Sequence, residues 1–204
     1  MTGSEALLVV RGLRTLRGGS IDMDLGRGEC VCVLGKSGSG KSVFLRLVAD
    51  LDQGEGVVTL DGRDRNTWSG PEWRRRVIYQ AAEPAWWGAT VAEHFPAEAS
   101  RLLPSWLNDV GLPSDIASGD VVRLSTGERQ RLALLRSLSR KPSVLLLDEP
   151  TASLDQATTL AVERLLQQEM AAGLGILMVT HSSEQAGRIA HRRLEMDGFV
   201  LRSA

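Results

Sequence analysis

A glycine- and serine-rich segment, Gly35–Ser42, lies between an apolar run and a stretch whose apolar residues recur at helical spacing. Its residues fit the pattern G-x-x-x-x-G-K-[ST]. Glycines let a loop curl so that successive backbone N–H groups point inward, and a helix that follows presents its positive end to the same place. The segment therefore predicts a strand, a phosphate-binding loop and a helix, in that order.

Within this loop, Lys41 is expected to reach the β- and γ-phosphates of a nucleotide, and Ser42 to bind Mg²⁺. The glycine spacing does not give G-x-G-x-x-G, which argues against a dinucleotide-binding dehydrogenase. The residues expected to surround the nucleotide phosphates are Gly35, Lys36, Ser37, Gly38, Ser39, Gly40, Lys41, Ser42 and Val43.

The apolar run Val144–Leu147 ends in two adjacent carboxylates, Asp148 and Glu149. Such a run is typical of a central strand buried on both faces, and α/β sheets bind their ligands at the carboxyl ends of these strands. Asp148 is therefore a candidate for holding Mg²⁺. Glu149 is a candidate for polarising an attacking water, because a general base must lie within one hydrogen bond of that water.

The order of predicted elements indicates an α/β fold with a parallel sheet, since a strand, a helix and a second strand follow one another after residue 143. That unit comprises Val144–Leu147, a helix carrying Val162, Leu165, Leu166 and Met170, and Ile176–Val179. Further strands are predicted at Leu7–Val10, Ile21–Leu25, Glu29–Leu34, Val57–Leu60 and Val77–Tyr79, with a turn at Gly18-Gly19, a helix over Val43–Leu51 and a closing hairpin over Leu194–Leu201.

Residues 80–140 differ in character and are interpreted as a mostly helical insertion, with helices over Val91–Glu98 and Leu102–Val110. The adjacent Trp86 and Trp87 have two interpretations. They are either an exposed aromatic anchor for a partner or part of the packing within the insertion.

Charge and cysteine placement exclude several classes of protein. The 204 residues carry 24 Lys plus Arg against 25 Asp plus Glu, so no field of one sign favours nucleic acid, and the run Arg74–Arg76 is interpreted as a solvated face. Cys30 and Cys32, two apart in a predicted strand, are expected to be buried thiols rather than a disulfide. The histidines show no zinc-binding spacing.

The N-terminus lacks the features of a signal peptide, and every apolar run falls far below the ~18 residues of a membrane helix. We therefore expect a cytoplasmic chain that reaches a membrane only through another polypeptide.

The segment Leu124–Gln130, with the sequence LSTGERQ, resembles the LSGGQ signature of ABC transporters. Together with the loop and the acidic strand end, it makes the chain similar to the ATP-binding subunit of these transporters from about Leu7 to Leu201. The resemblance implies a P-loop NTPase core with N-terminal antiparallel strands and an inserted helical subdomain. It places the core at residues 1–79 and 141–204 of a single domain, and the subdomain at about 80–140.

The resemblance also implies roles for single residues. Gln80 resembles the Q-loop glutamine that touches the metal and the attacking water, and His181 resembles the switch histidine at the γ-phosphate, although alone it would be read as a structural histidine. Asp155 resembles the aspartate of the D-loop, which lies across a dimer interface. The signature residues implied to bind the γ-phosphate held by an opposite subunit are Ser125, Thr126, Gly127 and Glu128.

The sequence departs from the family pattern in two places. In the signature, Thr126 replaces a glycine and Glu128 replaces a glutamine. The stretch Leu13–Gly18 contains no aromatic residue, whereas the family stacks one on adenine there, and Leu16 or Arg17 is the expected substitute. Base stacking is worth about 1–3 kcal/mol in nucleic-acid complexes, so we expect reduced nucleotide affinity.

The implied activity is hydrolysis of ATP with Mg²⁺, coupled to transport through ATP-driven dimerisation with a second copy or a paralogue. The implied partner is an integral membrane permease on the inner face of the cell membrane, and the segment Arg74–His94 is similar to compact bacterial subunits of the iron-export type. Two alternatives stay open: a soluble ABC ATPase, which usually carries coiled-coil heptads that this chain lacks, and a regulatory module that binds nucleotide without turnover.

Overall fold

The computed structural model describes residues 6–15 and 18–203. Within them, ten strands form two sheets and six α-helices flank them. The strands are β1 Leu8–Thr15, β2 Gly18–Leu25, β3 Cys30–Leu34, β4 Glu55–Leu60, β5 Arg63–Asp64, β6 Val77–Gln80, β7 Val144–Asp148, β8 Gly175–Val179, β9 Arg192–Asp197 and β10 Val200–Ser203. The helices are α1 Lys41–Val48, α2 Gly70–Arg76, α3 Leu103–Asp109, α4 Thr126–Leu138, α5 Gln156–Ala171 and α6 Ser183–Ile189.

The larger sheet has the strand order β10-β9-β3-β8-β7-β6. Its pairs are parallel from β6 through β7, β8 and β3 to β9, and β10 joins antiparallel as the second arm of a hairpin. The smaller sheet, β2-β1-β4-β5, is antiparallel throughout. The predicted α/β class, the parallel core, the antiparallel N-terminal strands and the closing hairpin are confirmed.

The central strands are apolar on both faces because each face packs into a different hydrophobic cluster. In β3, Cys30 and Cys32 face the cluster formed with α4 and α5, whereas Val31 and Val33 face the cluster formed with α1 and the antiparallel sheet. Both cysteines are fully buried and free, as predicted, with their Sγ atoms 4.0 Å apart. Burial on both sides explains the continuous apolar runs in the sequence.

The insertion differs from its prediction at one place. Leu102–Val110 holds a helix, α3, but the continuous helix expected over Val91–Glu98 is wrong, since two short 3₁₀ turns, Ala92–His94 and Ala97–Arg101, take its place. Pro96 is the cause, because a residue that precedes proline avoids the helical region, and Phe95 is accordingly extended at φ −103° and ψ 142°.

The start of β2 and the presence of a short helix also differ from prediction. Gly18 and Gly19 begin β2 rather than form a turn, and the connection before them lies outside the described residues. The short helix α2 was not predicted, although Ser69 and Glu72 form a capping box at its start and Pro71 follows the cap closely, which are sequence signals for a helix N-terminus.

The insertion packs directly on the sheet. Leu103 and Leu107 of α3 belong to the same buried cluster as Leu145 of β7 and Leu165 of α5. Leu132 and Leu135 of α4 belong to this cluster too, so both helices of the insertion pack against the core.

Membrane helices need about 20 largely apolar residues. Across the described ranges, no helix has both the length and the apolar character to cross a membrane.

Trp73 of α2 gives a test of the packing. Its side chain is fully buried, and its Nε1–H donates a hydrogen bond to the Val48 carbonyl at the end of α1 (3.0 Å). Trp73→Phe should lower the free energy of unfolding by about 2 kcal/mol, because it leaves both a cavity and an unpaired carbonyl. Trp87→Phe, at a site with 69% exposure, should change it by less than about 0.5 kcal/mol. Equal effects in urea unfolding would contradict this account of the core.

Candidate active site

Parallel pairing of β3, β7 and β8 brings three chain segments to one edge of the sheet. Each of these strands ends at its carboxyl side in a polar segment: the glycine-rich loop after β3, Asp148-Glu149 after β7, and Thr180-His181 after β8. Asp148 pairs with Val179 in the sheet register, so Glu149 and His181 leave neighbouring strands at nearly the same height. This edge is where α/β folds bind ligands.

The loop between β3 and α1 is closely packed against the C-terminal hairpin. Gly35 and Gly40 have φ values of 141° and 103°. A Cβ atom at Gly35 would clash with the Met196 carbonyl oxygen, and one at Gly40 would lie 2.7 Å from Phe199 Cδ2. Glycine is therefore required at both positions by backbone conformation and by space.

Lys41 is buried and turned back on its own loop. Its Nζ donates hydrogen bonds to the carbonyl oxygens of Gly35 (2.8 Å) and Lys36 (2.9 Å). The two carbonyls hold the ammonium group inside the curl of the loop. A phosphate group that enters this curl meets a cation already in place.

One cavity of ≈ 200 Å³ brings most of the predicted phosphate-loop residues and the predicted hydrolytic residues together. Glu149 and His181 line this cavity together with residues of the loop and the first turn of α1. Its lining residues are Ser37, Gly38, Gly40, Lys41, Ser42, Val43, Glu149 and His181.

Glu149 and His181 form a pair, with Glu149 Oε1 2.9 Å from His181 Nε2. Glu149 has a φ of 48°, a left-handed conformation that is uncommon for a residue other than glycine. Its backbone N–H donates to the carbonyl oxygen of Val179 (2.9 Å), which ties the strained residue to β8. The strain is maintained by the sheet, and it fixes the direction in which this carboxylate leaves the strand.

Asp148 is almost fully buried at the end of β7, and its Oδ2 accepts a hydrogen bond from the Tyr79 hydroxyl (3.0 Å). Burial and the nearby Asp148 carboxylate raise the pKa of Tyr79, so the phenol stays a donor. Tyr79 was missed by the sequence analysis. Its position directly before Gln80, on the strand paired with β7, is the signal that could have found it.

The donor set fits Mg²⁺, which takes oxygen ligands and binds through one or two protein groups plus substrate phosphates. The Ser42 hydroxyl and the Asp148 carboxylate are such groups. Over the described ranges, no cluster of three or more His, Cys, Asp or Glu residues could hold a metal alone. The predicted ligands therefore suit a metal that arrives with a phosphate.

Gln80 is buried at the end of β6, and its Oε1 lies 3.5 Å from the Ser137 hydroxyl of α4. It is absent from the described lining of the 200 Å³ cavity. The Gln80 side chain connects β6 with α4, and its metal role stays a prediction.

Ser125 is the N-cap of α4. Its hydroxyl and Glu128 form a reciprocal capping box in which the Ser125 N–H donates to Glu128 Oε2 (2.8 Å) and the Glu128 N–H donates to Ser125 Oγ (3.3 Å). The Ser125 hydroxyl also donates to Glu128 Oε2 (2.7 Å), and this bond, together with the one from the Ser125 N–H, lowers the pKa of Glu128, so it stays ionised. The Thr126 side chain is exposed and takes no part in this cap, and a Cβ at Gly127 would lie 3.1 Å from Leu154.

None of the four predicted signature residues contributes to the described lining of the 200 Å³ cavity. Asp155 also lies apart from it, as the N-cap of α5, where its carboxylate accepts from the Thr158 N–H (2.8 Å). Lys41, Ser42, Glu149 and His181 thus line the cavity together. Its described lining includes neither Asp148 and Gln80 nor the residues predicted to act across a dimer interface.

A buried polar network behind His181 was also missed by the sequence analysis. Gln185 of α6 is 2% exposed, and its Nε2 donates to Thr151 Oγ1 (2.8 Å) and to Glu163 Oε1 (3.3 Å). Its Oε1 accepts from the Thr180 hydroxyl (3.0 Å). Arg188 completes the network with two hydrogen bonds to Glu163, each of 2.8 Å. Gln185 therefore joins the segment after Glu149 to the residue before His181.

Of the two adjacent tryptophans in the insertion, one fits the packing interpretation and the other fits the exposed-anchor interpretation. Trp86 is half-buried against the main cluster, whereas Trp87 is 69% exposed. His94 Nε2 accepts from the backbone N–H groups of Trp87 and Gly88, both at 2.9 Å, and Arg136 lies over both indole rings. The pair is thus rigidly held, with one ring facing solvent.

The structure does not test the residues predicted to substitute for the adenine-stacking aromatic. Leu16 and Arg17 fall outside the described residues, and Leu13 is fully buried in the antiparallel sheet. The basic run Arg74–Arg76 is exposed, and Arg74 pairs with Asp50.

The chain is similar to several curated proteins. It is 38% identical over 208 residues to the aliphatic sulfonates import ATP-binding protein SsuB of Mycobacterium sp. (strain MCS), covering 97% of this chain and 82% of that protein. It is 35% identical to the phosphate import ATP-binding protein PstB 2 of Natronomonas pharaonis, covering 89% and 72%. It is 32% identical to the probable iron export ATP-binding protein FetA of Escherichia coli (strain K12), covering 81% and 78%.

A solved structure of an ATP-binding subunit of an ABC transporter superimposes with a TM-score of 0.86 at 25% identity, over 97% of this chain and 88% of the other. The sequence pattern of the family described as ABC transporter matches residues 19–152, which include the loop, the signature segment and the acidic strand end. The chain therefore belongs to the ABC transporter family.

Proposed function

We propose that this chain is the ATP-binding and ATP-hydrolysing subunit of an ABC transporter. The observation that carries the proposal is that one cavity is lined both by Lys41 and Ser42 and by the pair formed by Glu149 and His181. Phosphate binding and activation of a water need these two sets of groups within a few ångströms of each other.

Lys41 is the group that receives the phosphates. Its ammonium is held by two loop carbonyls, Gly35 and Lys36, and these contacts are neutral. An entering γ-phosphate offers a charged acceptor, which makes hydrogen bonds roughly twice as strong as a neutral one. The backbone N–H groups of the loop and the N-terminal end of α1 add to the attraction.

Glu149 acts as the general base, and His181 keeps its carboxylate in place through the 2.9 Å contact. The water that loses its proton to Glu149 attacks the γ-phosphorus in line with the leaving oxygen. Mg²⁺, held by Ser42 and Asp148, supplies neutralisation of the phosphate charge when bound. Tyr79 keeps the Asp148 carboxylate oriented by its hydrogen bond.

A second ATP-binding chain, either a second copy or a paralogue, completes the hydrolytic site. Ser125–Gly127 present a helix N-terminus that is absent from the described lining of the chain's own cavity, so these groups are available to a nucleotide bound by another copy. We assign Thr126, Glu128 and Asp155 to the same interface, and Gln80 to the connection between the cavity and the helical subdomain. ATP then joins the two chains, and hydrolysis removes the link.

The single domain divides into a core, residues 1–79 and 141–204, and a helical subdomain at about 80–140. A membrane-spanning permease binds the subdomain and places the chain on the inner face of the membrane. Trp87 is the anchor for that contact, because a rigid exposed aromatic gives a large contact area at little entropic cost. Since the relatives named above include importers and an exporter, their shared property is the ATP-binding subunit rather than one cargo.

Glu149→Gln tests the hydrolytic assignment. The variant should bind Mg·ATP with the parent affinity but lose at least about a hundredfold in turnover, because an amide cannot accept the proton of the attacking water. It should also accumulate as an ATP-dependent dimer, visible by size-exclusion chromatography with multi-angle light scattering. The measurement is release of phosphate at saturating ATP.

Glu184→Gln is the matched control, since Glu184 is exposed on α6 and pairs only with Arg188 among its described contacts. It should hydrolyse ATP at the parent rate. Parent-like turnover by Glu149→Gln would show that another group is the base. Absence of turnover in the parent, with or without its permease, would instead favour a regulatory module.

Gln185→Leu tests whether the polar network sets the geometry of the Glu149–His181 pair. Leucine keeps the volume but removes the link between Thr151 and Thr180. Loss of one such buried link is worth about 1–3 kcal/mol, so kcat should fall about tenfold while the affinity for ATP stays within twofold. Gln167→Leu, at an exposed position on α5, should change neither. An unchanged kcat, or an equal loss in kcat and affinity, would refute the positioning role.

A further inference from the structure

A second cavity of ≈ 550 Å³ adjoins the phosphate loop. It shares Gly38, Gly40 and Val43 with the 200 Å³ cavity, so the same loop separates and borders both spaces. A molecule whose phosphates occupy the smaller cavity can therefore extend over the loop into the larger one. The larger cavity has an apolar part, formed by Val43, Leu47 and Phe199.

Phe199 is the aromatic residue in the described lining of this cavity. It lies in the two-residue turn between β9 and β10, where Asp197 pairs with Val200 and where Gly198 and Phe199 have φ values of 55° and 63°. Turns of this shape favour Asn and Gly, and a bulky side chain with positive φ is uncommon. The sequence thus keeps an aromatic residue at a position where it costs backbone strain.

The surroundings of Phe199 accommodate its ring closely. A Cβ at Gly40 would lie 2.7 Å from Phe199 Cδ2, and a Cβ at Gly19 would lie 2.9 Å from Phe199 Cδ1. The Phe199 N–H donates to the Ser39 carbonyl oxygen (3.2 Å), which ties the turn to the phosphate loop. The ring therefore fits because the two neighbouring positions, one in β2 and one in the loop, are glycines, and any side chain there would collide with it.

We propose that Phe199 forms the aromatic wall that receives the adenine base of the nucleotide whose phosphates bind the loop. The proposal rests on the proposed function and names the residue that contacts the base. Phe199 is 8% exposed, so most of its ring packs on the loop and the remainder faces the cavity. A wall held in this way loses little side-chain entropy on binding, and an aromatic edge or face against a base is favourable.

This assignment puts the aromatic contact on the C-terminal hairpin rather than on the segment after β1. The stretch Leu13–Gly18 has no aromatic residue, and the hairpin turn lies against Gly19, directly after that stretch. Phe199 can therefore supply an aromatic ring beside a stretch of chain that has no aromatic residue of its own.

The test separates contact with the base from support of the loop. Phe199→Leu retains apolar volume, and Phe199→Asn supplies the residue that the left-handed turn prefers, so at least one variant is expected to keep the hairpin. Binding of ATP and of inorganic tripolyphosphate, both without Mg²⁺, is measured by competition against a fluorescent nucleotide. Thermal melting of each variant verifies folding.

Both variants should bind ATP about tenfold more weakly and tripolyphosphate within twofold of the parent, because the lost contact is with the base alone. Phe199→Tyr should restore the parent affinity for ATP. Equal losses for ATP and tripolyphosphate would show that the ring only shapes the loop, and unchanged ATP binding would show that it has no role; either result overturns the proposal. A parent chain that binds neither compound would instead overturn the proposed function itself.

Discussion

The parallel register of β3, β7 and β8 is the constraint on which the site depends. Hydrogen bonding between these strands ends all three at one edge, and each continues directly into a polar segment. A shift of register would move Glu149 away from His181 and both away from the loop. The buried clusters on the two faces of the sheet oppose such a shift, because each apolar side chain would then face the wrong cluster.

The protein's own contacts hold the groups of the site in place. Lys41 is held by two carbonyls, Glu149 is held in a left-handed conformation by Val179, and Gln185 links the segments on either side of the Glu149–His181 pair. Strain and buried polar groups are both costly to maintain, and here they occur at the groups that must be oriented toward phosphate. Such preorganisation lowers the reorganisation needed when the charge of a transition state develops.

Sequence reasoning predicted the segments whose patterns depend on local spacing. The loop, the acidic strand end and the βαβ order could be predicted because each depends on neighbours within a few positions. Pro96 shows where local reasoning also limits a prediction, since helical apolar spacing around it was interpreted as a continuous helix. Gln185 and Phe199 could not be found in this way, because Thr151 and Gly40, which they contact, lie far along the chain and meet them only in the folded structure. Tyr79 has a local signal, its place directly before Gln80. The predicted roles of Gln80 and the signature residues involve a metal or a second chain, so the fold of one chain does not test them.

The central claim is that each nucleotide lies between the loop of one chain and Ser125–Gly127 of another. The most direct measurement mixes two inactive variants, Lys41→Ala and Ser125→Arg, and follows ATP turnover in the presence of Mg²⁺. The mixed dimer contains one site with an intact loop and an intact signature, so an equal mixture should recover up to about one quarter of the parent rate if dimers exchange at random. Turnover that stays at the level of the separate variants, although mixed dimers form, would contradict a site shared between two chains.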